Sequence, residues 1–187
     1  MILLVSAVRE ELGELSGEPL GVGAVGVAVR MAALLHERQP AGVLMLGTGG
    51  SFPAGPTVGS AVAATRVGWA NGLSVMGLGY TPRPPGPVHC DNRLLQRISL
   101  PKVGVLTVGA ITTDSVLAGR LADDWQVEQL EAFGVAAACA AANVPFAMVV
   151  GITHEVGPSA HAQWLTNREA ARVAARDAVS VLFERGG

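Results

Sequence analysis

Charge is scarce in this chain. Only 15% of its 187 residues are Asp, Glu, Lys or Arg, and the net charge is −2. There is no basic cluster, and the pI is about 6.1. A surface for nucleic acid is therefore not expected. Cysteine is scarcer still: Cys90 and Cys139 stand alone, the latter in an Ala run. Two such thiols read as buried and free rather than as a disulfide framework. Neither CxxC nor HExxH occurs, so no metal site is expected. No internal repeat, low-complexity segment or linker interrupts the chain, and one domain over residues 1–187 is expected. The N-terminus, MILLVSAVREE, lacks a basic start and turns acidic at once, unlike a signal peptide.

What is abundant is apolar. Half the residues are hydrophobic, and the mean hydropathy is +0.41. Ala132–Thr153 runs without a charge or His, long enough to raise the question of a membrane span. Asn143 and Pro145 break it, and its character changes from Ala-rich to β-branched and aromatic after them. A helix, a tight turn and a buried strand explain that change. A soluble, cytoplasmic protein with no membrane partner is the expectation.

The pattern alternates strands with helices. Ile2–Val8, Gly42–Leu46, Lys102–Val108 and Phe146–Ile152 are apolar runs suited to buried strands. Val58–Thr65 reads as another strand and Gly72–Met76 as one more. Helices are expected at Ala28–Arg38, with Val29, Ala32, Ala33 and Leu34 inward, at Ser115–Leu121, and over the stretch opening at Val127. A last helix should start at the capping box Thr166–Glu169 and run to about Phe183. Its apolar stripe is Ala170, Val173, Ala174, Ala178, Val181 and Leu182, and its role is structural. This order implies an α/β fold, a three-layer α/β/α arrangement around a mixed, mainly parallel sheet.

Polar groups collect where the strands end, which is where open α/β sheets build sites. Arg9-Glu10-Glu11 follows the first strand and is equally a solvated helix start or part of a site. Gly47-Thr48-Gly49-Gly50-Ser51 follows the second; its glycines let backbone N–H groups approach a ligand. Thr153-His154-Glu155 follows the apolar run after Pro145. The carboxylate pair Glu128 and Glu131 opens the stretch before it. Gly21, Gly23 and Gly26 have the G-x-G-x-x-G spacing, but away from the first strand–helix turn, so a closely packed turn is preferred over a phosphate loop. Gly79–Asp91 is Pro-rich, a lid or a surface connection, with His89 and Asp91 two apart. Their reading as a catalytic pair is the less favoured one.

Taken together, these motifs resemble the nucleoside phosphorylase/nucleosidase family of the purine nucleoside phosphorylase/uridine phosphorylase type, over nearly the whole chain. Ala7-Val8-Arg9-Glu10-Glu11 resembles the family's A-M-x-E-E, and Gly47–Gly50 its G-S-A-G-G or G-T-x-G. Val127–Phe146 resembles its V-E-x-M-E segment followed by V-P-F, with Leu130 in place of the Met. Ile152-Thr153-His154 falls on I-S-D or I-S-N. Val156-Gly157-Pro158 with Trp164 is similar to the tail of futalosine hydrolases. The resemblance implies cleavage of an N-glycosidic bond, with futalosine hydrolysis to hypoxanthine in menaquinone biosynthesis foremost. Methylthioadenosine/adenosylhomocysteine nucleosidase, phosphorylase and non-catalytic nucleoside-binding readings stand as alternatives.

It also implies roles. Glu131 binds the ribose hydroxyls and faces the cationic sugar. Glu11 (Glu10 after a one-residue slip) activates water. His154 serves the purine N7 or O6, which suits a 6-oxopurine. Thr48, Gly49, Gly50, Leu130 and Thr153 border the substrate, and Phe133 packs near the sugar or enters the core. No cofactor is implied. The paired arginines of the phosphorylases are missing; Arg66 and Arg83 are isolated. Water is the expected nucleophile, and a homo-oligomer, dimer or higher, is the expected assembly.

Overall fold

A computed structural model describes residues 1–183, with side chains to residue 180. In chain order the elements are β1 (Ile2–Ser6), α1 (Arg9–Leu12), β2 (Glu18–Pro19), α2 (Ala24–Arg38), β3 (Gly42–Ser51), β4 (Ala61–Trp69), α3 (Gly72–Val75) and β5 (Val88–His89). They continue as α4 (Asn92–Leu95), β6 (Lys102–Thr107), α5 (Ser115–Leu121), β7 (Val127–Gln129), α6 (Ala132–Ala141), β8 (Phe146–Glu155) and α7 (Ala160–Phe183). The fold is α/β with a mixed, mainly parallel sheet, as the alternation implies. The antiparallel pairs are β3–β7, β4–β5 and β4–β8; the others are parallel.

The sheet does more than lie flat between helices. Strand β8 pairs with both β3 and β4, so β3, β7, β6, β4 and β8 form a closed circuit of neighbours. Closure removes edges that would otherwise stay unpaired. Strand β3 is the hub. One of its edges pairs with β8 from Val43 to Ser51. The other is shared: β1 occupies Gly42–Leu46, and β7 joins only at Gly50 and Ser51. Between them the edge is open, and the backbone N–H of Thr48 is free to bind a side chain. Divergence of neighbouring strands is the usual origin of a crevice in such sheets.

Several expectations are corrected. Gly72–Val75 is a helical turn, not a strand; Asn71 caps it by accepting from the Leu73 N–H. Val127–Gln129 is a strand, not the start of a helix, because pairing with β6 and β3 overrides the helical look of the segment. Gly47–Ser51 and Thr153–Glu155 continue their strands instead of forming loops. Helix α2 buries Val27, Met31, Leu34 and Leu35, while Val29 is 70% exposed and Ala32 and Ala33 face outward. Helix α7 starts at Ala160, not at Thr166; the Thr166 hydroxyl donates back to the Ala162 carbonyl inside the helix. Its buried stripe is Ala171, Ala175 and Val179, with Ala174 and Ala178 flanking, and Ala170 and Val173 exposed. The side chains of Val181 and Leu182 lie outside the described residues.

The helices sit close to the sheet where glycine permits it. A side chain on Gly151 of β8 would come within 2.0 Å of the Ala171 carbonyl in α7. Cys90 and Cys139 are buried and unbridged, and burial pushes both thiols up to about 12. No helix among the described residues is long and apolar enough to cross a membrane.

Candidate active site

Glu11 sits in the single turn of α1, directly after β1. Its carboxylate folds back over the turn and accepts from the Ala7 and Val8 N–H groups at 3.1 and 3.4 Å. Its other oxygen crosses to the open edge of β3, accepting from Thr48 N at 2.9 Å and Thr48 Oγ1 at 3.0 Å. Glu11 is buried and its neighbour Glu10 is exposed, so Glu11 is the one that reaches the cleft. Burial raises its pKa above the usual carboxylate value; the Thr48 and Val8 bonds oppose this, and the charge on Glu131 adds to it.

Glu131 stands at the junction of β7 and α6. Gln129 makes that junction: its side-chain carbonyl accepts from the Glu131 and Ala132 N–H groups, capping α6. Its amide donates to Glu131. Relieved of capping, the Glu131 carboxylate accepts from Gly23 N at 2.9 Å. Gly23 is the N-cap of α2 with φ +90°, a conformation that favours glycine. The Gly21–Gly26 segment is a strand-to-helix turn as expected, but not a closely packed one: nothing lies within 4 Å of where a Cβ on Gly21, Gly23 or Gly26 would sit, and the positive φ of Gly21 and Gly23 is what calls for glycine. The Gly23 N–H also holds a cleft carboxylate at a helix N-terminus. Burial raises the Glu131 pKa against these bonds. Phe133 is one residue into α6; it packs partly buried on the core and does not line the cleft, whereas Leu130 does.

His154 is brought in by a bulge. Along β3 and β8, Gly49 pairs with Ile152 but Gly50 pairs with His154, leaving Thr153 as the extra residue. Such bulges re-aim side chains. The Thr153 hydroxyl donates to the Gly49 carbonyl at 3.0 Å and lies 2.8 Å from His154 Nδ1. With its proton committed to Gly49, Thr153 accepts from Nδ1–H. That assigns the neutral tautomer and leaves Nε2 to take a proton. Nε2 is buried and unpartnered, and burial lowers the His154 pKa. The ring lies over Gly50: a Cβ there would sit 2.5 Å from Nε2. The glycine run therefore clears space for protein neighbours. Gly49 does the same for β7, whose Glu128 carbonyl lies 2.6 Å from its missing Cβ.

One cleft gathers Glu11, Thr48, Gly49, Gly50, Leu130, Glu131, Thr153 and His154. Its wall also includes Val22, Ile111, Glu128, Gln129, Trp164 and Arg172, to which the sequence reading gave no role in the site. Glu128 was visible only as half of a carboxylate pair. Both Trp164 and Arg172 belong to α7; Arg172 falls in the helix read from sequence as purely structural, whereas Trp164 was expected before that helix, in the tail that resembles futalosine hydrolases. Arg172 has a half-buried side chain, pairs with Glu169 at 3.5 Å and leaves Nε buried without a partner. His89, Asp91, Arg66 and Arg83 do not line this cleft. Asp91 caps α4 through the Arg93 and Leu94 N–H groups, and Arg66 stacks over Trp125 at 4.6 Å.

The sequence profile of the Phosphorylase superfamily matches residues 15–184. The chain belongs to that superfamily. It is also 28% identical to the futalosine hydrolase of Thermus thermophilus over 220 aligned positions, covering 100% of this chain and 97% of that one. Among solved structures, the futalosine hydrolase of Helicobacter pylori superposes with a TM-score of 0.83 at 14% identity, over 98% of both chains. The 5'-methylthioadenosine/S-adenosylhomocysteine nucleosidase of Neisseria meningitidis, in complex with methylthio-immucillin-A, gives 0.82 at 17% identity over 96% of both. These superpositions establish a shared fold.

Proposed function

We propose that the chain hydrolyses the N-glycosidic bond of a purine nucleoside, with futalosine as substrate and hypoxanthine as released base. The observation that carries this reading is the meeting of Glu11 and Glu131, from distant parts of the chain, in one cleft with a His154 whose free ring atom is buried there. Its similarity to the Thermus enzyme supports the choice of futalosine.

The chemistry follows from the groups. The C1'–N9 bond breaks and its electron pair passes to the purine, leaving positive charge on the sugar. The Glu131 carboxylate faces that charge and holds the ribose hydroxyls. Water adds to C1' and gives a proton to Glu11, whose raised pKa makes it a stronger base near neutrality. His154, protonated on Nε2, gives a proton to N7 of the departing base. Both groups then re-equilibrate with solvent, so one water is consumed per base released. Glu11 must be ionised and His154 protonated. Activity therefore falls as pH drops through the Glu11 pKa and as it rises through that of His154, giving a bell.

The test is incubation of the purified chain with futalosine, inosine and methylthioadenosine, with and without phosphate, reading free base by chromatography. Base release from futalosine without phosphate supports the reading; release from none of the three overturns it. A phosphorolytic reading has one observation in its favour, the Arg172 guanidinium in the cleft wall. Glu11, Glu128 and Glu131 around the same space disfavour an anion, and strict phosphate dependence would reverse that judgement.

The proposal includes a cytoplasmic homo-oligomer. Val22, just before α2, and Val25 and Val29 within it are 67%, 81% and 70% exposed, and Val22 also borders the cleft. A second copy covering that apolar row would also cover the rim of the cleft. Light scattering of the purified chain gives the assembly mass; a monomer at micromolar concentration contradicts this part.

A further inference from the structure

The mechanism above uses Glu11, Glu131 and His154 and leaves one buried carboxylate without a task. Glu128 is 2% exposed. Its Oε1 accepts from the Thr112 N–H at 3.0 Å, while Oε2 is buried with no partner. A carboxylate oxygen taken out of water with nothing to accept from is costly. Burial raises its pKa, opposed by the side chain of Thr112 and by its backbone N–H.

The register shows what Glu128 faces. Gly50 of β3 lies opposite Glu128 in β7 and opposite His154 in β8. Residues directly opposite in adjacent strands project from the same face. Glu128 and His154 therefore rise on one face, flanking a residue with no side chain, with backbones roughly 10 Å apart at two strand spacings. Both keep one unpaired buried atom, Oε2 on one side and Nε2 on the other. Both line the cleft. The His154 ring and Val156 fill the space directly over Gly50, so a flat heterocycle would lie in the cleft beside that ring, with one edge toward His154 and another toward Glu128.

We propose that Glu128 reads the six-membered ring of the base and selects a 6-oxopurine, its Oε2 accepting the N1–H hydrogen. This rests on the nucleosidase reading. With N7 at His154, the edge beyond position 6 turns to Glu128. In a 6-oxopurine that edge carries a hydrogen on N1. In a 6-aminopurine N1 carries a lone pair, which opposes a carboxylate fixed in line with it, and only a shifted base could offer Oε2 its 6-amino hydrogen. Thr112 fixes Oε1 and so presents Oε2 to the base.

Calorimetry with free hypoxanthine and free adenine tests this without turnover. The wild type should bind hypoxanthine tighter than adenine by about 100-fold, the scale set by a buried hydrogen-bonding group left unpaired. In Glu128→Gln the amide carbonyl keeps the bond from Thr112 and the NH2 takes the place of Oε2. That variant should lose hypoxanthine affinity and gain adenine affinity, narrowing or reversing the preference. Equal loss of both bases in the variant, or no change, overturns the assignment. A wild type that binds adenine as well as or better than hypoxanthine overturns it whether or not the variant folds. If the wild type cleaves purine nucleosides without preferring the 6-oxo base, only the Glu128 assignment fails. If it binds neither base and cleaves no nucleoside, the nucleosidase reading falls with it.

Discussion

Glu11 and Glu131 are tied in before any ligand arrives. Glu11 accepts from Ala7, Val8 and both donors of Thr48, and Glu131 from Gly23 and Gln129. Glu128 and His154, by contrast, each retain a buried atom with no partner. A satisfied carboxylate is held in one orientation, which suits a group that must face a short-lived charge. An unsatisfied one gains its missing bond only from the right ligand, which suits recognition. The first pair should therefore govern turnover, and the second should govern which base is accepted.

The largest effect expected from breaking this division is at the first pair. Glu131→Gln and Glu11→Gln should each lower kcat/KM by about 10³-fold or more, with the circular dichroism spectrum unchanged. Full activity in either refutes its assigned role. His154→Gln should cost about 10²-fold and remove the alkaline limb of the pH–rate profile, because the group that must be protonated is gone. A retained alkaline limb assigns it to another residue. Gly50→Ala places a methyl 2.5 Å from His154 Nε2 and 2.8 Å from Val156. It should displace the ring and weaken base binding by about 10-fold, at a stability cost of about 1–3 kcal/mol. Unchanged base affinity by calorimetry contradicts the placement of the base against the His154 ring.

The smallest effect is on stability, and its sign is set by burial. Glu11, Glu128 and Glu131 all have pKa values raised from 4.5 in the fold. Their stabilising contribution is complete below the unfolded value and is lost as pH rises through the folded ones. Replacing Glu131 by neutral Gln should thus raise the melting temperature at neutral pH, and the gain should shrink as pH falls toward 4.5. His154 acts in the opposite direction below its ordinary 6.5 but is common to both proteins. A variant less stable than wild type at pH 7 shows that its hydrogen bonds outweigh the burial of its charge.

How much of this was legible depended on the kind of signal. Glu11, Glu131 and His154 stand in motifs and are found together in the cleft. The alternation of apolar runs with helices is a local pattern, and the mixed sheet followed from it. Pairing between distant segments leaves no such trace. Gly47–Ser51 and Thr153–Glu155 have loop composition but are held as strand by each other. Val127–Gln129 looked helical for the same reason, and with it went the meaning of Glu128: on a helix it is Glu131's neighbour, on β7 it is opposite Gly50. Closure of the sheet through β8 and β4 is likewise a tertiary fact. Thr166 carries a capping signature, yet its hydroxyl is satisfied within the helix, so α7 extends back to Ala160 and carries Trp164 and Arg172 to the cleft wall.

The measurement that bears most directly on the account is the rate of hypoxanthine release from futalosine in phosphate-free buffer, with wild type and Glu131→Gln side by side. The account predicts steady release by the wild type and none above background by the variant. No release by the wild type, or equal release by both, contradicts it.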